Sequence, residues 1–434
     1  MRSRAGALAA AAALAALVVP AGAQAGAVAD WNAIGQAETV PLRPTAHGQA
    51  RGMAMVAGAM YDAVNAIDRG HQPYLLDLDE VDAPSWASMD AAAATAAYRV
   101  LLAITPLARH GALDTAYTGT LLLIPDGPME QAGVAAGEAA ATAMLASRQG
   151  DGFMASFTPT IGTEAGDWRP LGWPTTPAFD PDGWAYNLKP FLIESPSQFR
   201  ADGPPALDSG QYTADFNEVK ELGAVNSSKR TDDQTKAAVF WQFAPAALWN
   251  PLARNLAGRN GLNAADEARL YAQIDLTVAD AVTTCWNNKY YFKFWRPRAA
   301  IQEAGTDGNP ATIADPSWEP LFTPATMTTP SLITPPFPAY PSGHGCVTGS
   351  VMNTMSDFFG GDKVEDGFDI VSGRSLNGAS IPPRHFERFS AVTKEVIDAR
   401  IWGGIHFRTD DVHGAVLGKR VAHWVGKHYF EPLD

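Results

Sequence analysis

Cysteine is nearly absent from this 434-residue chain; Cys285 and Cys346 are the only two. Two thiols exclude a disulfide-stapled scaffold and any Cys-rich zinc module. Positive charge is also scarce, with 32 Lys and Arg against 46 Asp and Glu, a net −14. That imbalance repels phosphate backbones and excludes nucleic acid as a partner. An anionic substrate therefore needs a local cluster of basic side chains. Beyond the N-terminus no apolar run is long enough to span a bilayer, and no repeat marks a solenoid. Several familiar active-site patterns are missing too. Tyr340 stands two residues before Ser342, so the Gly-x-Ser-x-Gly nucleophile elbow fails. No His-Glu-x-x-His occurs. Gly414 to Lys419 is one residue short of a phosphate-binding loop, and Arg420 replaces its Ser or Thr.

What is present suffices for a large core: hydrophobic residues make up 46%, including 19 Phe and 12 Trp. Residues 1–27 read as a cleaved signal peptide. Arg2 and Arg4 precede an apolar, Ala-rich run from Ala5 to Val19, followed by small-x-small sites at Ala23-Gln24-Ala25 and Ala25-Gly26-Ala27. A secreted or periplasmic protein is expected, with no membrane partner. Helical periodicity runs through Ser88 to Thr105 and Gln131 to Arg148. Asn263 is a candidate N-cap, with Leu270, Ile274 and Val278 following at i+4. Val347, Val351, Met355 and Phe358 mark another helix, and Thr409 or Asp410 caps a last one running towards Val425. Strand alternation is scarce, so the fold is read as mostly α. Pro- and Trp-rich segments at Gly152 to Pro205 and Asp307 to Tyr340 are long enough to be functional or to wrap a second module. A loose division near residue 225 gives an N-terminal helical bundle, 28–225, and a C-terminal one, 226–434, that carries the chemistry.

Three separated pieces carry that chemistry. Lys289 and Arg296, seven residues apart, share a helix face if the helix persists to Pro297. Ser342-Gly343-His344 precedes a helix, whose free N–H groups and the Ser342 hydroxyl suit an anion's oxygens. Arg400 and His406 lie before another helix start, where Asp410 can orient the His406 imidazole. Two guanidinium groups, an ammonium, a hydroxyl and two histidines match the needs of a tetrahedral oxyanion. One histidine can bond to the central atom while the other exchanges a proton at the opposite apex.

The pattern Lys-x6-Arg-Pro, Pro-Ser-Gly-His and Arg-x5-His-x3-Asp resembles the signature of the phosphatidic acid phosphatase type 2 superfamily. Ala399 departs from it, standing where that superfamily usually has Ser. Pro335 to His344, with Phe337 seven before the histidine and Trp286 three before Lys289, resembles the chloroperoxidase-like vanadium-dependent haloperoxidases within it. Ala59 to Ile67 resembles the N-terminal half of exported bacterial members. Fungal chloroperoxidases carry an acid after a Tyr-Trp pair; here Phe240-Trp241-Gln242-Phe243 leads to Ala244 instead.

The resemblance implies an all-α fold of two helical bundles, with the site at one end of the C-terminal bundle. It implies a vanadate cofactor, with hydrogen peroxide, halide and a small organic acceptor as reaction partners. In that assignment His406 bonds vanadium, and Lys289, Arg296, Ser342, Gly343 and Arg400 hold the equatorial oxygens. His344 exchanges the proton, Lys289 polarises the peroxide, and Trp286 and Phe337 line the halide pocket. The alternative is a secreted acid phosphatase in which His406 attacks phosphorus, Asp410 orients it and His344 protonates the leaving alcohol; a degenerate binding member is a third reading. His47, His71, His110, His423 and His428 read as structural. Cys285 and Cys346 approach the same site from different segments, and a disulfide between them is slightly preferred over two buried free thiols.

Overall fold

Helix-forming stretches dominate the computed structural model, which describes residues 26–433 apart from 43–45, 82, 171, 173–174, 176, 243–245 and 323–333. The expected signal peptide lies outside the described residues except for Gly26 and Ala27. The N-terminal part is built from α1 (Ala27–Leu42), α2 (Ala46–Asp68), α3 (Met89–Ile104), α4 (Leu107–Leu121) and α5 (Pro128–Ser147). The Ser88 side chain caps α3 by accepting from the Ala91 N–H. The Ala59 to Ile67 stretch falls inside α2 and proves to be a structural staple. Asp62 accepts from the Tyr74 and Leu75 N–H groups at 2.7 and 2.8 Å, and Asn65 brackets His71.

After a long loop come α6 (Gly210–Leu222), α7 (Asp232–Phe240), α8 (Ala246–Asn260) and α9 (Ala264–Phe292). The Asn263 side chain caps α9 by accepting from the Asp266 N–H. This helix packs against α2 on one side and, further along the chain, α11 (Gly343–Phe358) on the other. Its buried polar side chains hold the Pro- and Trp-rich loop in place. Asp280 accepts from the N–H groups of Phe191, Leu192 and Ile193, and Asn288 bonds Ala201 and Phe199. A long loop thus costs few unsatisfied backbone groups.

The short α10 (Pro297–Gln302) precedes α11, and α12 (Phe389–Trp402) and α13 (Arg408–His428) complete the helices. A β-ribbon separates α11 from α12, a feature that sequence alternation did not reveal. In it β1 (Lys363–Ile370) pairs antiparallel with β4 (Arg384–Arg388), and between them β2 (Ser375–Leu376) pairs with β3 (Ala379–Ser380). Helices α11 and α13 cross with almost no side chain between them. A Cβ on Gly349 would collide with the Ala415 carbonyl, and one on Gly418 with that of Cys346. This close approach brings the start of α11 beside the start of α13. No described helix is long and apolar enough to cross a membrane.

Candidate active site

The first basic piece folds differently from its helical expectation. The last turn of α9 carries Lys289, but the helix ends at Phe292 because Lys293 adopts the left-handed conformation, with φ 50° and ψ 41°. Pro297 disfavours helical backbone at Arg296, which is extended and serves as the N-cap of α10. Lys289 and Arg296 therefore do not share a helix face; a turn folds them towards the same wall. The Lys289 Nζ donates to the Pro338 and Ala339 carbonyls, both at 2.9 Å, and the Arg296 Nε to that of Phe337 at 2.9 Å.

Ser342 is the N-cap of α11, its hydroxyl accepting from the Gly345 N–H at 3.4 Å, so His344 sits in the first turn. The Ser342 N–H donates to the Asp410 carbonyl at 2.8 Å and locks the two helix starts together. His406 lies in the turn between α12 and α13. That turn needs glycine at residue 404, where φ is +74° and a Cβ would strike the backbone of Gly223 and Pro320. Asp410 is the third residue of α13 rather than its cap, and Thr409 is not the cap either. The Asp410 Oδ2 accepts from the Phe407 N–H and faces the His406 Nδ1, each at 3.1 Å. With Nδ1 thus engaged, Nε2 is the ring atom available for ligation, and it lies 3.0 Å from the Arg296 Nη1.

A cavity of about 220 Å³ opens onto this arrangement. Gly343, His344, Arg400 and His406 line it, with Trp286 and Phe337 on the apolar flank. The Trp286 and Phe337 rings are 4.8 Å apart, and the Lys289 Nζ lies 5.1 Å from the Phe337 ring. Lys289, Arg296 and Ser342 stand behind that surface, all buried. Expected residues from all three pieces thus converge.

Charge in this region is unbalanced. Lys289, Arg296 and Arg400 are all buried, yet among the described residues none forms an ion pair with a carboxylate. The Arg296 Nη2 and the Arg400 Nε and Nη2 are buried without a hydrogen-bond partner among the described residues. Burial pushes the Arg400 guanidinium down to about 10, and burial likewise lowers Lys289 and Arg296. Both histidines are driven well below the ordinary imidazole range, by burial first. Arg400 adds to the effect on His344, and Arg296 and Lys289 to that on His406. Burial raises Asp410 and Asp411. An anion among these groups would supply the counter-charge and accept the idle N–H donors, so the residues fit a tetrahedral oxyanion.

Two nearby side chains escaped the sequence reading. Gln242, at the end of α7, accepts from the Arg400 Nη1 at 2.5 Å and lines the cavity. The adjacent Trp241 backbone bonds His344. His47, read as structural, stacks edge-on against Trp286 at 4.0 Å and faces the Asp182 carboxylate at 3.2 Å. The Trp286 Nε1 donates to Asp180 at 2.7 Å. Neither contact leaves a spacing signal, because the partners are 158 and 135 residues apart. Cys285 and Cys346 are free and buried, which corrects the preferred disulfide. Ala244 lies outside the described residues.

The family model that matches is the VCPO second helical-bundle domain, over residues 269–434. The vanadium chloroperoxidase of Curvularia inaequalis is 29% identical over 275 residues, or 51% of this chain and 44% of that protein. The match thus spans less than half the length of that relative. Among solved structures, the first bacterial vanadium-dependent iodoperoxidase superposes with a TM-score of 0.74 at 22% identity, covering 93% of this chain and 97% of the other. The fold is vanadium haloperoxidase-like. A bacterial vanadium-dependent chloroperoxidase in its holo form shares this haloperoxidase-like fold, with a TM-score of 0.65 at 16% identity over 86% of this chain and 90% of the other.

Proposed function

We propose that this chain is a vanadate-dependent haloperoxidase that oxidises halide with hydrogen peroxide to hypohalous acid. The observation that carries the reading is a group of three buried cations, without carboxylate partners among the described residues, gathered around two histidines at a cavity with an apolar flank. Lys289, Arg296, Arg400, Ser342 and the Gly343 N–H would hold vanadate oxygens, and the His406 Nε2 would bond the metal. Bound vanadate would supply an electrophilic centre that activates peroxide without changing its oxidation state.

The residues of the chain do the rest. Asp410 keeps the His406 imidazole in the tautomer that presents Nε2. His344 is held neutral by burial and the surrounding cations, so it can take a proton from an incoming acid. Trp286 and Phe337 keep water from the side of the cavity where halide arrives. Trp286 is itself fixed by Asp180 and His47. Export through a cleaved leader belongs to the same reading, and N-terminal sequencing of the mature chain tests it.

Purified apo-protein should gain bromide-oxidising activity with peroxide only when vanadate is added. Hydrolysis of p-nitrophenyl phosphate that vanadate inhibits, without any halide oxidation, would overturn the proposal in favour of a phosphatase.

A further inference from the structure

Each of the three buried cations is held by a neutral group. Lys289 donates to two backbone carbonyls, and Arg296 to the carbonyls of Phe337 and Ile405. Arg400 is the most instructive because its partner is a side chain, the Gln242 amide oxygen, where a carboxylate of equal length would fit. Among the described residues no acid pairs with Arg400: Asp410 spends an oxygen on His406 and the Phe407 N–H, and Asp411 acts on Arg400 without forming an ion pair. Gln242 lines the cavity beside Arg400, whose Nε and Nη2 have no partner.

We propose that Gln242 sets the charge selectivity of the oxyanion site. It orients the Arg400 guanidinium through a neutral amide, so that among the described residues no carboxylate is ion-paired with that charge in competition with the bound anion. The site then takes a multiply charged tetrahedral oxyanion and rejects a singly charged one of the same shape. Gln242 is in this sense a positioning residue, acting through Arg400. The inference deepens the oxyanion-site reading above and rests on it. Its physical basis is that Coulomb attraction scales with the product of the charges, so a compensating carboxylate costs a dianion twice what it costs a monoanion.

Sulfate and perchlorate separate charge from shape, since both are tetrahedral. Sulfate is also the more strongly hydrated, so a preference for it must come from the site. Calorimetry on the full-length apo-protein at low ionic strength should show sulfate binding about tenfold or more tighter than perchlorate. Gln242→Glu should cut that ratio about threefold or more, weakening sulfate about tenfold or more and perchlorate by about the square root of that factor. Gln242→Asn keeps the amide and its neutrality, and should preserve the ratio while weakening both anions. Gln242→Asp carries the same added charge if the glutamate variant does not fold. An unchanged ratio in either acidic variant, or no sulfate preference in the parent protein, overturns the proposal. Peroxide and halide take no part in the measurement, so loss of the haloperoxidase reading alone would leave this result standing.

Discussion

Arg148 and Arg400 are both buried arginines at or near the end of a helix, and they are treated in opposite ways. Arg148 bonds the Asp151 carboxylate at 3.0 Å and the backbone carbonyls of Pro190 and Lys189, and it stacks over the Phe191 ring at 4.0 Å. Arg51 shares the same carboxylate. Every Arg148 nitrogen is used, and the result is a clamp that ties the long loop to α5. Among the described residues Arg400 has one neutral hydrogen-bond partner and two idle nitrogens at a cavity wall. Desolvating a guanidinium is costly, so one left without a carboxylate and with idle nitrogens at a cavity wall marks a candidate anion site. The difference between the two arginines therefore separates a structural ion from a candidate binding ion, without reference to motif or family.

Truncation should break the comparison most visibly at the clamp. Arg148→Met leaves the buried Asp151 with Arg51 and the Phe153 N–H but without its second cation, and unfolding by denaturant should show a loss of about 3 kcal/mol, at the low end for a broken buried pair. Arg400→Met should do the reverse, leaving stability unchanged or raised while weakening oxyanion binding by about 1.5–3 kcal/mol, roughly ten- to a hundredfold. Calorimetry with vanadate or phosphate reads the second quantity. Equal stability losses in the two variants would erase the distinction drawn here.

Asp275 sharpens the contrast by showing a third way to bury an ionisable group. Asn250 donates to its Oδ1 at 2.8 Å, its Oδ2 has no partner, and burial raises its pKa to about 7. The unfolded carboxyl titrates near 3.8. Between these values the folded state holds the extra proton, so stability is full below the lower value, falls as pH rises to the upper one, and is flat beyond. The slope is up to about 1.4 kcal/mol per pH unit. Asp275→Asn should remove the share of that decline due to Asp275, and the gap between denaturation midpoints at pH 5 and pH 8 would narrow; an unchanged gap would show that Asp275 does not carry the extra proton. The smallest effect is expected on the apolar flank. Phe337→His should depress chloride oxidation more than bromide oxidation, by about two- to fivefold, the range for an interaction of ~0.5–1 kcal/mol. Equal losses for both halides would make Phe337 plain packing.

Much of this was legible locally. Ser88 and Asn263 begin their helices as their capping chemistry requires, and the Asp410-to-His406 spacing of four residues already implied an orienting bond. Other local inferences failed for an identifiable reason. The helix expected through Arg296 stops at Lys293, where the Lys293 carbonyl accepts from Trp168 and the Trp295 N–H donates to the Gly166 carbonyl. A loop more than a hundred residues earlier in the chain thus outcompetes helical continuation. The β-ribbon between α11 and α12 was missed because its strands are short, bulged and mostly exposed, and lack a clean period of two.

The sequence by itself determined the mostly helical class, the net acidity that demands a local basic cluster, and which lysine, arginines and histidines form that cluster. Those properties are written in short-range spacing, where residue type and helical period suffice. Only the tertiary structure decided that Arg400 would meet an amide rather than an acid, that His47 would brace Trp286, and that the cysteines would remain free thiols. Such pairings join α7 to α12 and α2 to α9. They arise from how the helices pack, and packing brings together residues whose separation in the chain carries no periodic signal.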